Sequence, residues 1–249
     1  MNAPTAAVLV VGAEVLSGKV RDENGPFLAE RLRALGVELQ AIHVVPDRMD
    51  AIVEALALER RRVTWVLTSG GVGPTHDDLT LPAVAHALGV PLRRDTEMEA
   101  LLRAMHDRHH PGVPLVETAL RMADLPEGTR RLGDARFPTL VVENVIMLPG
   151  VPSFLRMQFE AVAGMLRGPP FHLACLYLSL GEDRLADPLA VAAREHPRVE
   201  IGSYPRFDDA DHRVRVTVEG RDADEVRSAA HAILAALPDG AVVRREGLP

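Results

Sequence analysis

The run Thr68-Ser69-Gly70-Gly71-Val72-Gly73-Pro74-Thr75-His76-Asp77-Asp78-Leu79-Thr80 limits the folds open to this chain more than any other stretch. The apolar residues 63–67 before it read as a buried strand. Leu79, Val84, Ala87 and Leu88 after it have helical spacing over 79–88. A strand that turns into a helix through glycines belongs to α/β architectures, which bind ligands at the carboxyl ends of parallel strands. Gly70, Gly71 and Gly73 clear side chains from the backbone where ligand oxygens would approach, and the helix start behind them offers N–H groups and a positive dipole end. The loop is therefore expected to hold an anion. Asp77 and Asp78 would repel that anion unless a divalent cation of the Mg²⁺ type stood between them and it. The alternative is a tight turn in which Asp77 only caps the helix.

The flanking chain supports an α/β reading. Strand patterns at 6–11, 37–45 and 63–67 alternate with helical patterns near 26–35 and 47–60, an order that predicts right-handed crossovers and a parallel sheet with helices on both faces. The loops at 12–18, 45–47 and 68–78 then fall along one sheet edge. A helix is expected over 96–108, with His106 and His110 at its exposed end, then a helical piece at 116–122, a hairpin of 139–143 with 145–148, and a helix over 153–166. Gly168-Pro169-Pro170 marks a boundary, so the domains are expected at 1–167 and 168–249. Beyond it, strand, helix, strand, strand, helix, strand is the ferredoxin-like order of a small α+β domain. Val214, Val216 and Val218 there alternate with Arg213, Arg215 and Thr217.

Composition narrows the function. A formal charge of −7 and 4% aromatic residues argue against nucleic acid as a partner, which would need a basic face or stacking platforms. The lone Cys175 cannot form an internal disulfide and suits a reducing compartment. No apolar run has the length of a membrane span, and the first residues lack the features of a signal peptide, so a cytoplasmic protein without a membrane partner is expected.

Glu14, Asp47, Asp77 and Asp78 are the acidic residues expected at the strand ends. Sharing one or two Mg²⁺-like ions across a diphosphate, they would make phosphoanhydride hydrolysis or nucleotidyl transfer the natural chemistry. Ser17, Asp22 and Asn24 have the polarity to hydrogen-bond a pterin or nucleotide edge. Each has a plainer alternative: Asp47 and Asn24 are also good helix caps, and Glu14 is also a residue for solvent.

The glycine run resembles the signature of the molybdopterin-binding domain family, the MoaB/Mog-like proteins of molybdenum-cofactor biosynthesis. It is most similar to the N-terminal region of the competence/damage-inducible protein A family and the related domain of FAD synthases. Residues 11–18, Asp22-Glu23-Asn24, 28–32 with 35–37, and Leu148-Pro149-Gly150-Val151-Pro152 carry the resemblance over about the first 167 residues. It implies a three-layer MoaB/Mog-like domain with a mostly parallel sheet. It also implies a pterin or dinucleotide ligand, molybdopterin among the candidates, and a homo-oligomer.

The expected ligand-binding residues are Gly12, Glu14, Ser17, Asp22, Asn24, Ser69, Gly70, Gly71, Gly73, Thr75, Thr80, Pro149 and Gly150. Asp78, Asp77 and Asp47 are the expected catalytic residues; with Glu14 they form the expected metal set. The run Thr75-His76-Asp77-Asp78 sides with relatives that split pyrophosphates such as ADP-ribose or FAD. The chain departs from the pattern at Ala13, at Arg136-Phe137-Pro138-Thr139 and at Phe154. Those departures favour a non-catalytic molybdopterin or nucleotide binder; the resemblance also leaves open a molybdopterin adenylyltransferase-like role.

Overall fold

The computed structural model describes residues 3–134, 136–206 and 211–248. The chain forms two compact units that divide between Gly168 and Pro169.

In chain order the first unit contains β1 (Thr5–Val11), α1 (Ala13–Leu16), α2 (Asn24–Ala34), β2 (Glu38–Val45), α3 (Met49–Glu59), β3 (Trp65–Ser69), α4 (Thr80–Leu88), β4 (Leu92–Arg94) and α5 (Thr96–His109). A 3-10 turn (Glu117–Ala123), β5 (Asp124–Pro126), β6 (Arg130–Leu132), β7 (Thr139–Val142), β8 (Val145–Leu148) and α6 (Pro152–Leu166) follow. The main sheet has the order β2-β1-β3-β8-β7-β6. β2, β1, β3 and β8 run parallel, β7 pairs antiparallel with β8, and β6 pairs antiparallel with β7. The register aligns Val11 with Val45, Val10 with Ser69, and Ser69 with Leu148, so the loops that follow these strands leave from one edge.

β1 shows why three layers form. Ala7, Leu9 and Val11 face one way and pack with Ile52 and Leu56 of α3 and Val84 of α4. Ala6, Val8 and Val10 face the other way, toward Leu28 and Leu32 of α2 and Leu155, Phe159 and Val162 of α6. Both faces of the strand are buried, which is why its sequence is a continuous apolar run. Phe159 is wholly inaccessible, and its truncation to alanine is worth about 3–5 kcal/mol.

The structure differs from the sequence reading where elements are short. α1 lies within the first edge loop, the piece near 116–122 is a 3-10 turn, and β4 and β5 pair as a separate ribbon. These elements of three to seven residues are too short for periodicity to register. At the end of α5, His106 Nε2 lies 2.9 Å from the Val113 carbonyl oxygen.

The second unit comprises β9 (His172–Leu178), α7 (Ala186–Glu195), β10 (Val199–Pro205), β11 (Val214–Gly220), α8 (Ala223–Ala235) and β12 (Val242–Glu246). Its antiparallel sheet has the order β10-β11-β9-β12, as in a ferredoxin-like fold. Val214, Val216 and Val218 are buried with Ala229 and Ile233 of α8. Among the described residues no helix is long and apolar enough to cross a membrane.

Candidate functional site

The glycine loop is held in place from both sides. Gly70 has φ +98°, and a Cβ there would come within 2.4 Å of the Val11 carbonyl oxygen; its Cα also lies 3.3 Å from where a Cβ on Gly150 would be. Only glycine permits that approach at that dihedral. Thr80, fully buried, donates its hydroxyl to Gly70 O at 2.7 Å and its N–H to Gly71 O at 2.8 Å. Thr80 and Gly70 thus shape the loop, and their polar groups meet protein.

A cavity of about 130 Å³ opens beside this loop, lined by Glu14, Asp22, Asn24, Ser69, Gly150 and Pro152 among others. Asp22 caps α2, accepting from the N–H of Asn24 at 2.9 Å and of Gly25 at 3.1 Å. Asn24 therefore does not cap the helix with its side chain. It reaches across the sheet edge, and Nδ2 donates to Ser69 Oγ at 2.9 Å and to Gly150 O at 2.7 Å. The Gly150 carbonyl can only accept, which fixes which end of the amide faces it. Asn24 Oδ1 is buried with no hydrogen-bond partner. Leaving such an acceptor unmet costs about 1–3 kcal/mol, which a ligand N–H would relieve.

A second cavity, about 260 Å³, lies at the other end of the loop, lined by Gly73, Thr75, His76, Asp78, Leu81 and Arg121 among others. Asp78 Oδ2 accepts from Thr75 N at 2.7 Å and from the Thr75 hydroxyl. The exposed Asp77 carboxyl is held below its ordinary value, first by hydrogen bonding to Thr75 and then to its own backbone N–H. The Thr75 hydroxyl has one proton, so the two carboxylates compete for it.

The remaining expected residues lie around these cavities. Asp47 Oδ2 accepts from Ala13 N at 2.7 Å, which ties the end of β2 to the start of α1; Asp47 does not cap α3. Gly12 donates to Val45 O at 3.0 Å, and a Cβ there would meet the Glu14 carboxylate at 2.6 Å. Ser17 Oγ donates to Glu14 O at 3.2 Å. Gly71, at φ +65°, abuts Thr80, and Pro149 begins the half-buried corner that presents Gly150.

The structure brings Glu14, Asp22, Asn24, Ser69 and Gly150 to one cavity and Gly73, Thr75 and Asp78 to the other. Among the described residues no three carboxylate, histidine or cysteine side chains are grouped to hold a metal. The residues therefore do not fit an all-protein metal cage. A Mg²⁺-type ion carried on a ligand's phosphates would need only one or two carboxylates and water.

Two of the departures meet one another. Phe137 and Phe154 stack with ring centroids 5.5 Å apart and planes 23° from parallel. Arg121, in the 3-10 turn, is a residue that sequence reasoning passes over, since nothing local marks it as lying at the sheet edge.

Residues 7–168 match the model of a probable molybdopterin-binding domain, and residues 170–246 that of the middle domain of FAD synthase. A protein from Aeropyrum pernix is 34% identical over 91% of this chain and 90% of its own length. A probable FAD synthase from Caenorhabditis briggsae is 33% identical over 90% of this chain, which spans 48% of that relative. The crystal structure of the protein CinA from Thermoplasma acidophilum, described as of unknown function, is 30% identical and covers 66% of this chain and 99% of its own, with a TM-score of 0.59.

Proposed function

This chain belongs to the molybdopterin-binding domain family, and from that premise we propose that it binds a phosphorylated heteroaromatic ligand and hydrolyses a dinucleotide-like pyrophosphate such as ADP-ribose or FAD. The observation that carries the reading is Asn24, which lines the cavity beside the glycine loop and whose buried Oδ1 has no hydrogen-bond partner. Pterin, purine and flavin rings all present N–H donors of the kind that acceptor lacks. A cavity of about 130 Å³ takes a ring edge, not a whole dinucleotide.

In this reading Asn24 and Ser69 orient the ring, and the 70–73 backbone lies along the diphosphate. Asp78, pinned through Oδ2 by Thr75, and Asp77 beside it would hold a cation carried on the phosphates. That cation, when bound, offsets negative charge on the phosphate oxygens. Water adds across the P–O–P bridge, one phosphorus keeps the bridging oxygen, and two phosphomonoesters leave. The chain's own contribution is to position the ligand and hold the carboxylate.

A second reading, a molybdopterin or nucleotide binder without catalysis, is favoured by the dispersal of the four carboxylates. Incubating the protein with ADP-ribose or FAD and Mg²⁺, Mn²⁺ or Co²⁺ separates the two. Phosphomonoester release is expected; tight binding without release would establish the second.

A further inference from the structure

The two cavities share no lining residue, yet one loop connects them: Ser69 lines the first and Gly73 the second. A ligand with two ends joined by a diphosphate would lie along 69–73 with one end in each. The second cavity has the chemistry of a nucleotide half-site. Its floor is apolar, made by Leu81, Pro82 and Leu92, and Leu92 remains 40% exposed. Its rim is charged.

Among the groups of that rim, Asp124 is already engaged by Arg94, with Nε–Oδ1 at 2.6 Å. Arg93, next to Leu92 in the chain, is likewise paired with a carboxylate, that of Glu127. Arg121 is different: its guanidinium has neither a carboxylate nor a hydrogen-bond partner among the described residues, and it is exposed at the cavity that Asp78 also lines. A guanidinium suits a phosphate because its planar fork presents paired N–H donors.

We infer that Arg121 is a phosphate-binding residue, and that the hollow of Leu81, Pro82 and Leu92 takes the second nucleoside monophosphate half of the diphosphate ligand. This rests on the hydrolase reading above, and it adds the residue that grips the far phosphate and the reason a dinucleotide suits the site better than a single nucleotide. Arg121 touches ligand, not the reacting water, so its loss affects binding before turnover.

The test is steady-state kinetics on FAD with Mg²⁺ for the wild type, Arg121→Ala, Arg121→Lys and Arg121→Glu, alongside calorimetric binding of FAD and AMP. Loss of a charged hydrogen bond predicts a KM raised roughly 10- to 100-fold in Arg121→Ala with kcat within about threefold, partial recovery in Arg121→Lys and a larger loss in Arg121→Glu. AMP affinity falls in parallel. Because the side chain is exposed and unpartnered, melting temperatures should match the wild type. Wild-type KM and AMP affinity in both Arg121→Ala and Arg121→Glu would overturn the assignment while leaving the hydrolase reading intact. A wild type that neither binds nor cleaves FAD would overturn both.

Discussion

Asn24 donates its side-chain amide to Ser69 Oγ at 2.9 Å, joining the start of α2 to the end of β3 across 45 residues of chain. With its second donation, to Gly150 O, it ties together three segments of the sheet edge. Asn24→Asp replaces a donor by a carboxylate facing that carbonyl, so it should destabilise the fold by about 1–3 kcal/mol and weaken ligand binding at least tenfold. Urea denaturation and calorimetry with FAD check this; wild-type affinity in the variant would remove Asn24 from the site.

The bond from Ala13 N to Asp47 gives Asp47 a structural duty whatever else it does. Asp47→Ala should cost about 1–2 kcal/mol, with most of it regained in Asp47→Asn, which keeps an acceptor. Ala13→Asp would set a second carboxylate beside the first. If the wild type hydrolyses ADP-ribose, that variant is not needed for activity; hydrolysis appearing only in Ala13→Asp would mark this chain as a binder that has lost its chemistry.

The stacked pair Phe137 and Phe154 makes two departures from the family pattern interdependent. A double-mutant cycle with alanine at both positions should give a coupling of about 0.5–1.5 kcal/mol. Additive losses would show that the rings do not support one another.

In the second unit Arg198 donates to Glu225 Oε2 at 2.6 Å, and this bond above all holds the Glu225 carboxyl below its ordinary value. A carboxylate with a depressed folded-state pKa contributes stability that is present above the unfolded pKa and is lost as pH falls through the folded one. Arg198→Gln should therefore be less stable than the wild type near neutrality, with the difference shrinking to nothing as pH falls through the folded-state pKa of Glu225. An NMR titration of Glu225 that is the same in both proteins would contradict the assignment.

Much of this arrangement is legible in the sequence because burial writes itself locally. The continuous apolar run of β1 records a strand covered on both faces, and the alternation of Val214, Val216 and Val218 records one covered on a single face. Parallel connectivity then places 12–18, 45–47 and 68–78 on one edge. The direction of each side chain within that edge depends on contacts between distant segments. Asn24 is as good a cap as a ligand, and only the proximity of Gly150, 126 residues away, turns its amide across the sheet. Asp47 has the composition of a cap but meets Ala13 instead. Arg121 reaches the second cavity through the β4–β5 ribbon, whose three-residue strands carry no periodic signal.

The proposed hydrolysis depends on Asp78 acting on a phosphate-borne cation at the end of the glycine loop. The direct test is Mg²⁺-dependent release of AMP from ADP-ribose by the wild type and by Asp78→Asn, which retains an acceptor for Thr75 and so should keep its melting temperature. The prediction is measurable release by the wild type and a fall of roughly 100-fold or more in the variant. Equal rates in the two proteins would contradict it.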